Sequence, residues 1–444
     1  MNRKADLTAI FEAGLAAVKT DQALERQLSL DGETLAVRGE RLDLSGFERI
    51  AVVGAGKACA PMAKALRRLL GDRLSGGLIA VKYGHGLALD GVEIIEAGHP
   101  VPDDNSLEAG RRILDLVGLL GDDDLLFCLI TGGSSALMEW PVDGMRFDDL
   151  RRVNECLLAS GATIQEMNAL RRHLSAIKGG RLAKACQGRV LSLIVSDVIG
   201  DDPSVIGSGP TAPDASTHAD CLDIVRKYRL AGDCPAAVLR LLESGVAGEI
   251  PETPDAVDPA WLRTTNHVIA TNEAAVTAAA HEAGRRGYAP VILSTTQQGE
   301  ARDVGTELVR LGLERQATLG GSRPLCLLAG GETTVTMQHS GKGGRNQEMA
   351  LSMALALDGT SGVHALCAGT DGTDGPTDAA GAYAFGDSLS RAEAIGLDLP
   401  IHLEQHDAYP AFQALGDLLI TGPTLTNVMD LTLLLVEEAQ AHGS

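Results

Sequence analysis

Several residues with the chemistry to bind an anion follow directly after short apolar runs of the sequence. The run at residues 50–53 leads into Gly54, Gly56 and Lys57, and an Ala-rich stretch that predicts a helix comes next. Glycines before a helix expose backbone N–H groups at its positive end, and a lysine beside them adds a full charge. The turn therefore predicts a site for a phosphate or a carboxylate. The alternative is a tight turn with a solvated lysine, because neither the Walker A pattern nor a strict G-x-G-x-x-G is met.

A second loop of the same kind, TGGSSA at residues 131–136, follows the apolar run LLFCLI. Gly132, Gly133, Ser134 and Ser135 can surround an anion with successive N–H groups and hydroxyls. The G-x-S-x-G signature of a nucleophilic serine is absent. We therefore expect both serines to bind a ligand rather than to attack it.

Basic side chains cluster in the segment MNALRRHLSAIKGGRLAKA, which contains Arg171, Arg172, His173, Lys178 and Arg181. Because the chain carries a formal net charge of -21, such a cluster is either a solvated helix face or a wall for a polyanionic phosphate. We expect Lys178 and Arg181, which flank a Gly-Gly pair, to bind the ligand. The other three are expected to face solvent.

Carboxylates also stand where apolar runs end. Asp197 follows the run at residues 190–195, Glu332 follows the run at residues 325–329 and two glycines, and Asp371 lies in the loop AGTDGTDGPTD. A carboxylate at a strand end commonly binds Mg²⁺ or accepts a proton from a substrate hydroxyl. Asp197 is therefore a candidate base and metal ligand, and Asp371 is a candidate contact to a hydrated Mg²⁺ or a ribose. For Asp371, a run of Asp-Gly turns is the alternative.

The segment GGRNQE places Arg345 and Asn346 at the predicted start of a helix, directly after two glycines. An arginine in this position can hold a carboxylate or a phosphate through two parallel hydrogen bonds. We expect Arg345 to bind the ligand in this way, with Asn346 beside it. An arginine that faces solvent is the alternative.

The charge and amino-acid composition indicate which partners and which cellular compartment to expect. A net charge of -21 argues against nucleic acid and anionic membranes, because both draw binding energy from clustered Lys and Arg. The 8 cysteines include no C-x-x-C pair, and several lie in apolar runs, which indicates buried, reduced thiols in a reducing compartment. No apolar stretch reaches the roughly 20 residues that cross a bilayer. We expect a cytoplasmic protein.

The elements that must position these residues alternate between strands and helices. Short apolar runs are separated by helix-like Ala/Leu/Arg stretches such as residues 60–70 and 107–120, which predicts α/β sheets covered by helices on both faces. In such sheets, ligands lie beyond the carboxyl ends of the strands. The segment 248–261 interrupts the pattern with prolines and acidic residues. We place a boundary there, between domains 1–250 and 262–444.

Taken in order, the motifs GAGKA, TGGSSAL, IKGGRLA, SDVIGDDPSVIGSGPT, GGETTV, GGRNQE and AGTDGTDGPTDAAGA cover nearly the whole chain. Together they resemble the class of glycerate kinases whose C-terminal domain is known as the MOFRL domain. The resemblance implies two three-layer α/β/α domains, the N-terminal one Rossmann-like, with ATP and substrate meeting in the cleft between them. It also implies phosphorylation of D-glycerate at its 2-hydroxyl, with ATP and Mg²⁺. The site lysine and arginine of the family match Lys57 and Arg345.

Two other functions stay open at this point. Proteins of this resemblance have also been described as hydroxypyruvate reductases, which would use NAD(P)H, but the position about 20 residues after the glycine turn, where an acidic residue would bind the ribose, falls on Leu74. A non-catalytic sensor of a sugar acid or a nucleotide would keep the fold. Binding alone, however, would tolerate gaps among Lys57, Asp197 and Arg345. A homodimer is a candidate assembly.

Overall fold

The computed structural model describes residues 3–439 and confirms the α/β class. Its helices are α1 (Arg3–Val18), α2 (Thr20–Gln27), α3 (Cys59–Leu70), α4 (Asp104–Val117), α5 (Ser134–Leu137), α6 (Phe147–Ser160), α7 (Ile164–Leu174), α8 (Arg181–Ala185), α9 (His218–Lys227), α10 (Ala236–Val246), α11 (Asn272–Arg285), α12 (Ala301–Ala317), α13 (Arg345–Ala356), α14 (Ser388–Ala394), α15 (Leu399–Glu404) and α16 (Ala408–Leu415). Its strands are β1 (Leu28–Asp31), β2 (Thr34–Val37), β3 (Glu40–Asp43), β4 (Arg49–Ala55), β5 (Gly76–Lys82), β6 (Val92–Ala97), β7 (Asp124–Ile130), β8 (Arg189–Val195), β9 (Thr264–Ala270), β10 (Ala289–Gln297), β11 (Leu325–Gly331), β12 (Val363–Gly369), β13 (Gly381–Phe385), β14 (Leu418–Leu419) and β15 (Asp430–Val436).

The chain forms two compact units. The first unit is Thr20–Ile269. The second unit combines residues 270–439 with residues 3–19, so it includes α1.

These units differ from the predicted domains 1–250 and 262–444 at the N-terminus. Helix α1 lies against α11, so closely that a Cβ on Gly14 would come within 2.9 Å of the Ala275 carbonyl oxygen. A sequence pattern shows that a helix has an apolar face but not which element that face covers. The segment 248–261, where the boundary is predicted, lies wholly within the first unit.

The first unit is built on a six-stranded sheet with the order β6-β5-β4-β7-β8-β9. The pairs β6-β5, β5-β4, β4-β7 and β7-β8 are parallel. The chain runs outward from β4 through β5 to β6 and then returns to the other side of β4. The strand order therefore reverses between β4 and β7, which is the order of a Rossmann-like sheet. The Rossmann-like prediction is confirmed.

Helices cover both faces of this sheet. Ala51, Val53 and Ala55 of β4 share a buried core with residues of α4 and α8. Gly54 faces the opposite side, where an added Cβ would lie 2.9 Å from Cys59 Sγ of α3. Alternate residues of a strand face opposite sides of a sheet, so the unit has three layers. Burial on both faces explains why β4 and β7 are continuous apolar runs.

Two smaller groups complete the first unit. Strands β1, β2 and β3 form an antiparallel sheet. Helices α6, α7, α9 and α10 form a helical group with a core of its own, which includes Val153, Leu170, Val225 and Leu242. Helix α7 of this helical group carries part of the basic cluster found in the sequence.

The second unit contains a mixed sheet with the order β10-β11-β15-β12-β13-β14. Strands β10 and β11 are parallel, and the other pairs are antiparallel. Leu434 and Val436 of β15 share a core with α12 and α13. Leu431 faces the other side, where its Cδ1 would lie 3.0 Å from a Cβ on Gly14 of α1. This unit therefore also has three layers, as predicted.

No helix within residues 3–439 is long and apolar enough to span a membrane. The cysteines are free and buried, as predicted. Burial raises the pKa of the Cys128 thiol to about 12, so this thiol is protonated at neutral pH.

Candidate active site

The loops that follow β4 and β7 are joined by hydrogen bonds. The Lys57 N–H donates to the Gly132 carbonyl oxygen at 2.9 Å. The Ala58 N–H donates to Thr131 Oγ1 at 3.2 Å, and the Thr131 N–H donates to the Ala55 carbonyl oxygen at 3.1 Å. The structure therefore brings the two predicted anion loops together where the strand order reverses.

Two glycines allow this close approach. Gly56 has a φ of 138°, and a Cβ there would lie 1.9 Å from Thr131 Oγ1. Gly133 has a φ of 88°, and a Cβ there would lie 2.8 Å from His99 Cδ2 and 3.5 Å from Lys57 Cγ. Glycine adopts these conformations at no steric cost and leaves this space open. His99, which no sequence motif marks, thus lies against the same loop as Lys57.

A cavity of about 290 Å³ opens beside the Gly133 loop. The predicted residues Gly133, Ser135 and Lys178 line it, and so do His99 and Arg171. The volume is near the lower end of the range for small-molecule sites. Its cationic side chains suit a small ligand that carries a carboxylate or a phosphate.

Lys178 and Glu139 form a buried ion pair at the wall of this cavity. Lys178 Nζ contacts Glu139 Oε2, and Ser175 Oγ donates to Glu139 Oε1 at 2.6 Å. Lys178 is 1% exposed and Glu139 is 3% exposed. Burial lowers the pKa of the Lys178 ammonium, and the Glu139 carboxylate opposes that shift. Lys178 is therefore fixed by a partner that no motif in the sequence indicates.

Two other predicted binding residues lie away from the cavity wall. Ser134 is 1% exposed, and its Oγ would lie 2.2 Å from a Cβ on Gly207. Burial lowers the pKa of Arg181, and the carboxylates of Asp214 and Glu252 oppose that shift. Arg181 thus lies near these two carboxylates and does not line the cavity.

The prediction that Arg171, Arg172 and His173 face solvent is wrong. His173 is 0% exposed. Arg172 Nε lies 2.9 Å from Asp214 Oδ1, and Arg171 Nε donates to Asn154 Oδ1 at 2.8 Å. These partners come from α6 and from the loop before α9. The local charge pattern of α7 could not reveal them.

In the second unit, two carboxylates hold Arg345. Its Nε and NH2 groups donate to Asp430 Oδ2 and Oδ1 at 2.6 and 2.8 Å, and its NH1 group lies 3.1 Å from Glu332 Oε1. Asp430 begins β15 and pairs in register with Gly331 and Gly369, the last residues of β11 and β12. The antiparallel β15 thus places a carboxylate where its neighbours end. Burial acts against the charge, but Asp430 raises the pKa of Arg345 above its ordinary value.

The N-terminus of α13 binds a carboxylate of the protein itself. Asp374 Oδ1 accepts from the Asn346 N–H at 3.1 Å, and Oδ2 accepts from the Gln347 N–H at 2.8 Å. A Cβ on Gly344 would come within 2.4 Å of Asp374 Cγ. Burial raises the pKa of Asp374 to about 6, although these hydrogen bonds oppose the shift. The helix end that the sequence suggests for a ligand is therefore in contact with Asp374.

Arg345 and Glu332 line a cavity of about 510 Å³ in the second unit. Glu348 and His406 line it too. His406 Nδ1 lies 3.1 Å from Glu348 Oε1, and Arg302 NH2 lies 2.5 Å from the same oxygen. None of these three residues was predicted from the sequence. The signal for Glu348 was its position in GGRNQE, whereas His406 and Arg302 lie in no motif.

The carboxylates predicted to bind Mg²⁺ offer the oxygen ligands that this ion prefers. Asp197 is partly buried just beyond β8, the strand next to β7. Asp371 Oδ1 accepts hydrogen bonds from the N–H and Oγ1 of Thr373, at 3.0 and 3.1 Å. Asp371 thus shapes the Asp-Gly turn. Both residues fit Mg²⁺ by the chemistry of their donors.

Glycine loops at the ends of Rossmann-like strands, with cationic side chains beside them, define an α/β protein that binds small anionic ligands. The family model described as "Domain of unknown function (DUF4147)" matches residues 6–243, and that of the MOFRL family matches residues 325–430. A protein of Thermotoga maritima named D-glycerate 2-kinase is 40% identical, over 89% of this chain and 93% of the relative. The chain therefore belongs to the glycerate kinase family with a MOFRL domain.

Two further relatives extend the comparison. The crystal structure of a glycerate kinase from Thermotoga maritima is 37% identical and matches with a TM-score of 0.86, over 98% of this chain and 99% of that chain. A protein of Agrobacterium vitis named "Putative hydroxypyruvate reductase" is 47% identical, over 87% of this chain and 99% of the relative. The names within the family thus include both a kinase and a reductase.

Proposed function

We propose that this protein transfers the γ-phosphoryl group of ATP to the 2-hydroxyl of D-glycerate, giving 2-phosphoglycerate and ADP, with Mg²⁺ and in the cytoplasm. The observation that carries the proposal is the hydrogen bond from the Lys57 turn to the Gly132 loop where the strand order reverses. The name D-glycerate 2-kinase of a relative that is 40% identical supports the choice of reaction.

Phosphoryl transfer depends on positioning and on charge stabilisation rather than on covalent chemistry by the protein. The two joined loops supply backbone N–H groups, and Lys57 supplies a cation beside them. The cavity of about 290 Å³ accommodates a three-carbon acid, and Arg171 at its wall can pair with the carboxylate of that acid. These features serve a kinase for a small hydroxy acid.

We assign Lys57 and Arg345 to the charges of the phosphoryl group and of glycerate. Asp197 is the candidate base for the proton of the 2-hydroxyl. Asp197 and Asp371 are the candidate ligands of Mg²⁺, and the ion supplies charge neutralisation on the phosphates. Because Arg345 is fixed by Asp430 and Glu332, it acts from a preorganised position.

The purified protein, incubated with ATP, Mg²⁺ and D-glycerate, tests the proposal. ADP release is followed, and the product is passed to enolase, which accepts the 2-phosphate but not the 3-phosphate. A signal through enolase is the expected result. ADP release without that signal would mean that another hydroxyl is phosphorylated. No ADP release would contradict the proposed kinase activity.

A second candidate is NAD(P)H-dependent hydroxypyruvate reduction, because the Agrobacterium vitis relative carries that name. A dinucleotide site in this kind of sheet usually has a carboxylate at the end of the strand after the glycine turn, where it binds the ribose. Here that strand is β5, and it ends in Lys82. This disfavours NADH, and the same protein with hydroxypyruvate and NADH or NADPH gives the direct test. Cofactor oxidation would support the reductase.

A third candidate is a sensor that binds ATP and D-glycerate without turnover. Lys57, Asp197 and Arg345 are all present, although binding alone would tolerate the loss of some of them. Calorimetric binding of both ligands, with no ADP after long incubation, would favour the sensor over the kinase.

A further inference from the structure

Two histidines and a glutamate meet in the helical group of the first unit. His173 lies in the last turn of α7, His218 begins α9, and Glu252 lies in the acidic segment after α10. One ligand atom from each lies within 4.8 Å of the other two. Both imidazoles are 0% exposed. None of the three lines the cavity beside the Gly133 loop.

The hydrogen bonds of His173 decide which of its ring nitrogens carries a proton. Nδ1 lies 2.9 Å from the Ala169 carbonyl oxygen, which can only accept, so Nδ1 is the donor. In the neutral ring, Nε2 then directs a lone pair at Glu252 Oε2, which is 3.0 Å away. Two acceptors at this distance repel each other unless a cation lies between them. A ring that donates from one nitrogen to a backbone carbonyl and leaves the other unprotonated is prepared to bind a metal ion.

The backbone N–H of His218 donates to both oxygens of Glu252 at 3.1 Å, but the His218 ring approaches Oε2 without forming a hydrogen bond. Its Nδ1 lies 2.7 Å from Glu252 Oε2, yet within residues 3–439 neither ring nitrogen has a hydrogen-bond partner. The ring is held there by packing, because a Cβ on Gly245 of α10 would lie 2.2 Å from His218 Cγ. A buried imidazole without hydrogen bonds is costly. The His218 ring therefore lacks the partner that its burial requires.

A proton on His173 Nε2 would account for its contact with Glu252, but protons do not account for the position of the His218 ring. A proton on His218 Nδ1 would stabilise the pair only if it pointed at Glu252, and the contact does not have that geometry. In a metal site, by contrast, the lone pairs of the ligands converge on the ion rather than on one another. Nitrogen and oxygen ligands at about 2.1 Å from a tetrahedral ion lie roughly 3.4 Å apart. The separations of 2.7 and 3.0 Å to Glu252 Oε2 are shorter than that value, so an ion would move the three side chains apart by a few tenths of an ångström.

We propose that His173, His218 and Glu252 bind a divalent transition-metal ion of the Zn²⁺ class. Two imidazoles and one carboxylate form a set that Zn²⁺ accepts, with water in the fourth position. The Glu252 side chain is 44% exposed, so water can reach the ion from its side. Imidazole nitrogen selects such metals over Mg²⁺, which prefers oxygen. The proposed site therefore differs from the Mg²⁺ site of the proposed phosphoryl transfer.

The expected structural effect of the ion follows from where its ligands lie. It joins the segment after α10 to α7 and to the start of α9. An ion that binds the folded chain in preference to the unfolded one raises the melting temperature with its free concentration. We therefore expect Zn²⁺ to bind to one site per chain and to stabilise the protein.

The experiment uses full-length protein without a histidine tag, stripped with a chelator and then loaded with Zn²⁺ or Co²⁺. Metal content after desalting, the melting temperature, and the visible spectrum of the Co²⁺ form are measured. One equivalent of metal per chain, a rise of a few degrees in melting temperature and a Co²⁺ absorption band are expected. No retained metal in the wild-type protein would overturn the proposal, whether or not the protein is a kinase.

Variants locate the bound ion. Glu252→Gln keeps the shape of an exposed side chain, and His173→Gln and His218→Phe each remove a nitrogen ligand. All three are expected to lose the metal and the Co²⁺ band, whereas His281→Gln, on the exposed face of α11, is expected to keep both. If His218→Phe does not fold, Glu252→Gln and His173→Gln decide the question. Wild-type metal content in those two variants would overturn the proposal.

Discussion

The guanidinium of Arg345 and the carboxylate of Asp430 meet through two parallel hydrogen bonds of 2.6 and 2.8 Å. Asp430 is 5% exposed, so loss of the arginine would leave a nearly buried carboxylate without its cation. A loss of this kind typically costs about 3–5 kcal/mol. The contribution of Arg345 to catalysis therefore has to be measured apart from its contribution to stability.

Arg345→Lys makes that separation, because lysine keeps the charge near Asp430 but cannot form the fork. We expect turnover to fall at least about a hundredfold in Arg345→Ala, as when a charge-stabilising donor is removed, and to fall in Arg345→Lys because the bidentate geometry is lost. We expect a smaller loss of stability than in Arg345→Ala. ADP release at saturating ATP and D-glycerate, together with urea unfolding, measures the two effects. Near-normal turnover of the lysine variant would show that the two parallel hydrogen bonds of the guanidinium are not needed for catalysis.

Lys57 is predicted to act on the phosphoryl group. Lys57→Ala is expected to lower turnover at least about a hundredfold, because one charge-stabilising donor is lost. Lys64→Ala, at an exposed position of the following helix α3, is the matched control and should keep wild-type turnover. Equal turnover of the two variants in the ADP assay would show that Lys57 has no part in the chemistry.

Lys178 and Glu139 are predicted to depend on each other for stability. Lys178→Met leaves the Glu139 carboxylate buried and unpaired, so we expect a loss of about 3–5 kcal/mol in the free energy of unfolding. In the double variant Lys178→Met/Glu139→Gln, the amide oxygen can still accept from Ser175, and most of the loss should be recovered. Urea unfolding of the two single variants and the double variant measures the coupling. Additive losses would contradict a direct pairing.

Gly133 is predicted to serve the site in two ways: it adopts a left-handed backbone conformation, and it leaves space that a side chain would fill. Both Gly133 and Gly161 adopt the left-handed conformation, with φ of 88° and 72°, but nothing lies within 4 Å of a Cβ on Gly161. An Ala at either position should cost about 1–2 kcal/mol of stability. Only Gly133→Ala also places a methyl group within 2.8 Å of His99, beside Lys57, so only it should lower kcat/KM for D-glycerate. Equal kcat/KM in both variants would contradict this role.

The parts of the fold that the sequence predicts depend on local patterns. Strands β4 and β7 are buried on both faces, so each appears as a continuous apolar run, and the polar residues after each run mark the edge of the sheet. The glycines at 56 and 133 are visible in the sequence as a mark of close packing, because a Cβ at either position would clash with a neighbouring loop. These features reveal the anion loops before any pairing is known.

The parts that the sequence does not predict depend on partners far along the chain. Asp430 reaches Arg345 because β15 runs antiparallel between β11 and β12, and nothing within DLTLLLV shows that pairing. His173 is likewise drawn into the interior by partners near residues 214 and 252. A cluster of charged residues on one helix predicts a solvent-exposed face, but partners from distant parts of the chain can bury that face instead.

Asp374 gives a prediction for the dependence of stability on pH. Burial raises its pKa from 3.8 to about 6, so between these values the folded protein binds more protons at this site than the unfolded chain does. The contribution of Asp374 to the free energy of unfolding is therefore present in full below pH 3.8 and is lost as the pH rises to about 6. The loss is about 3 kcal/mol over that interval. Other carboxylates titrate in the same range, so the difference between two proteins is the quantity to measure.

Asp374→Asn isolates the pH-dependent contribution of Asp374 to the free energy of unfolding. The amide keeps an oxygen for the N–H groups at the start of α13 but does not titrate. Urea unfolding of the wild-type protein and the variant is compared at several pH values from 4.5 to 7.5, an interval chosen to cover the raised pKa of about 6. As the pH rises, we expect the wild-type protein to lose stability relative to Asp374→Asn. Asp358→Asn, at an exposed position, should follow the wild-type curve. A constant difference between the wild-type protein and Asp374→Asn would mean that the carboxyl of Asp374 is ionised throughout the interval, and that the hydrogen bonds from α13 outweigh its burial.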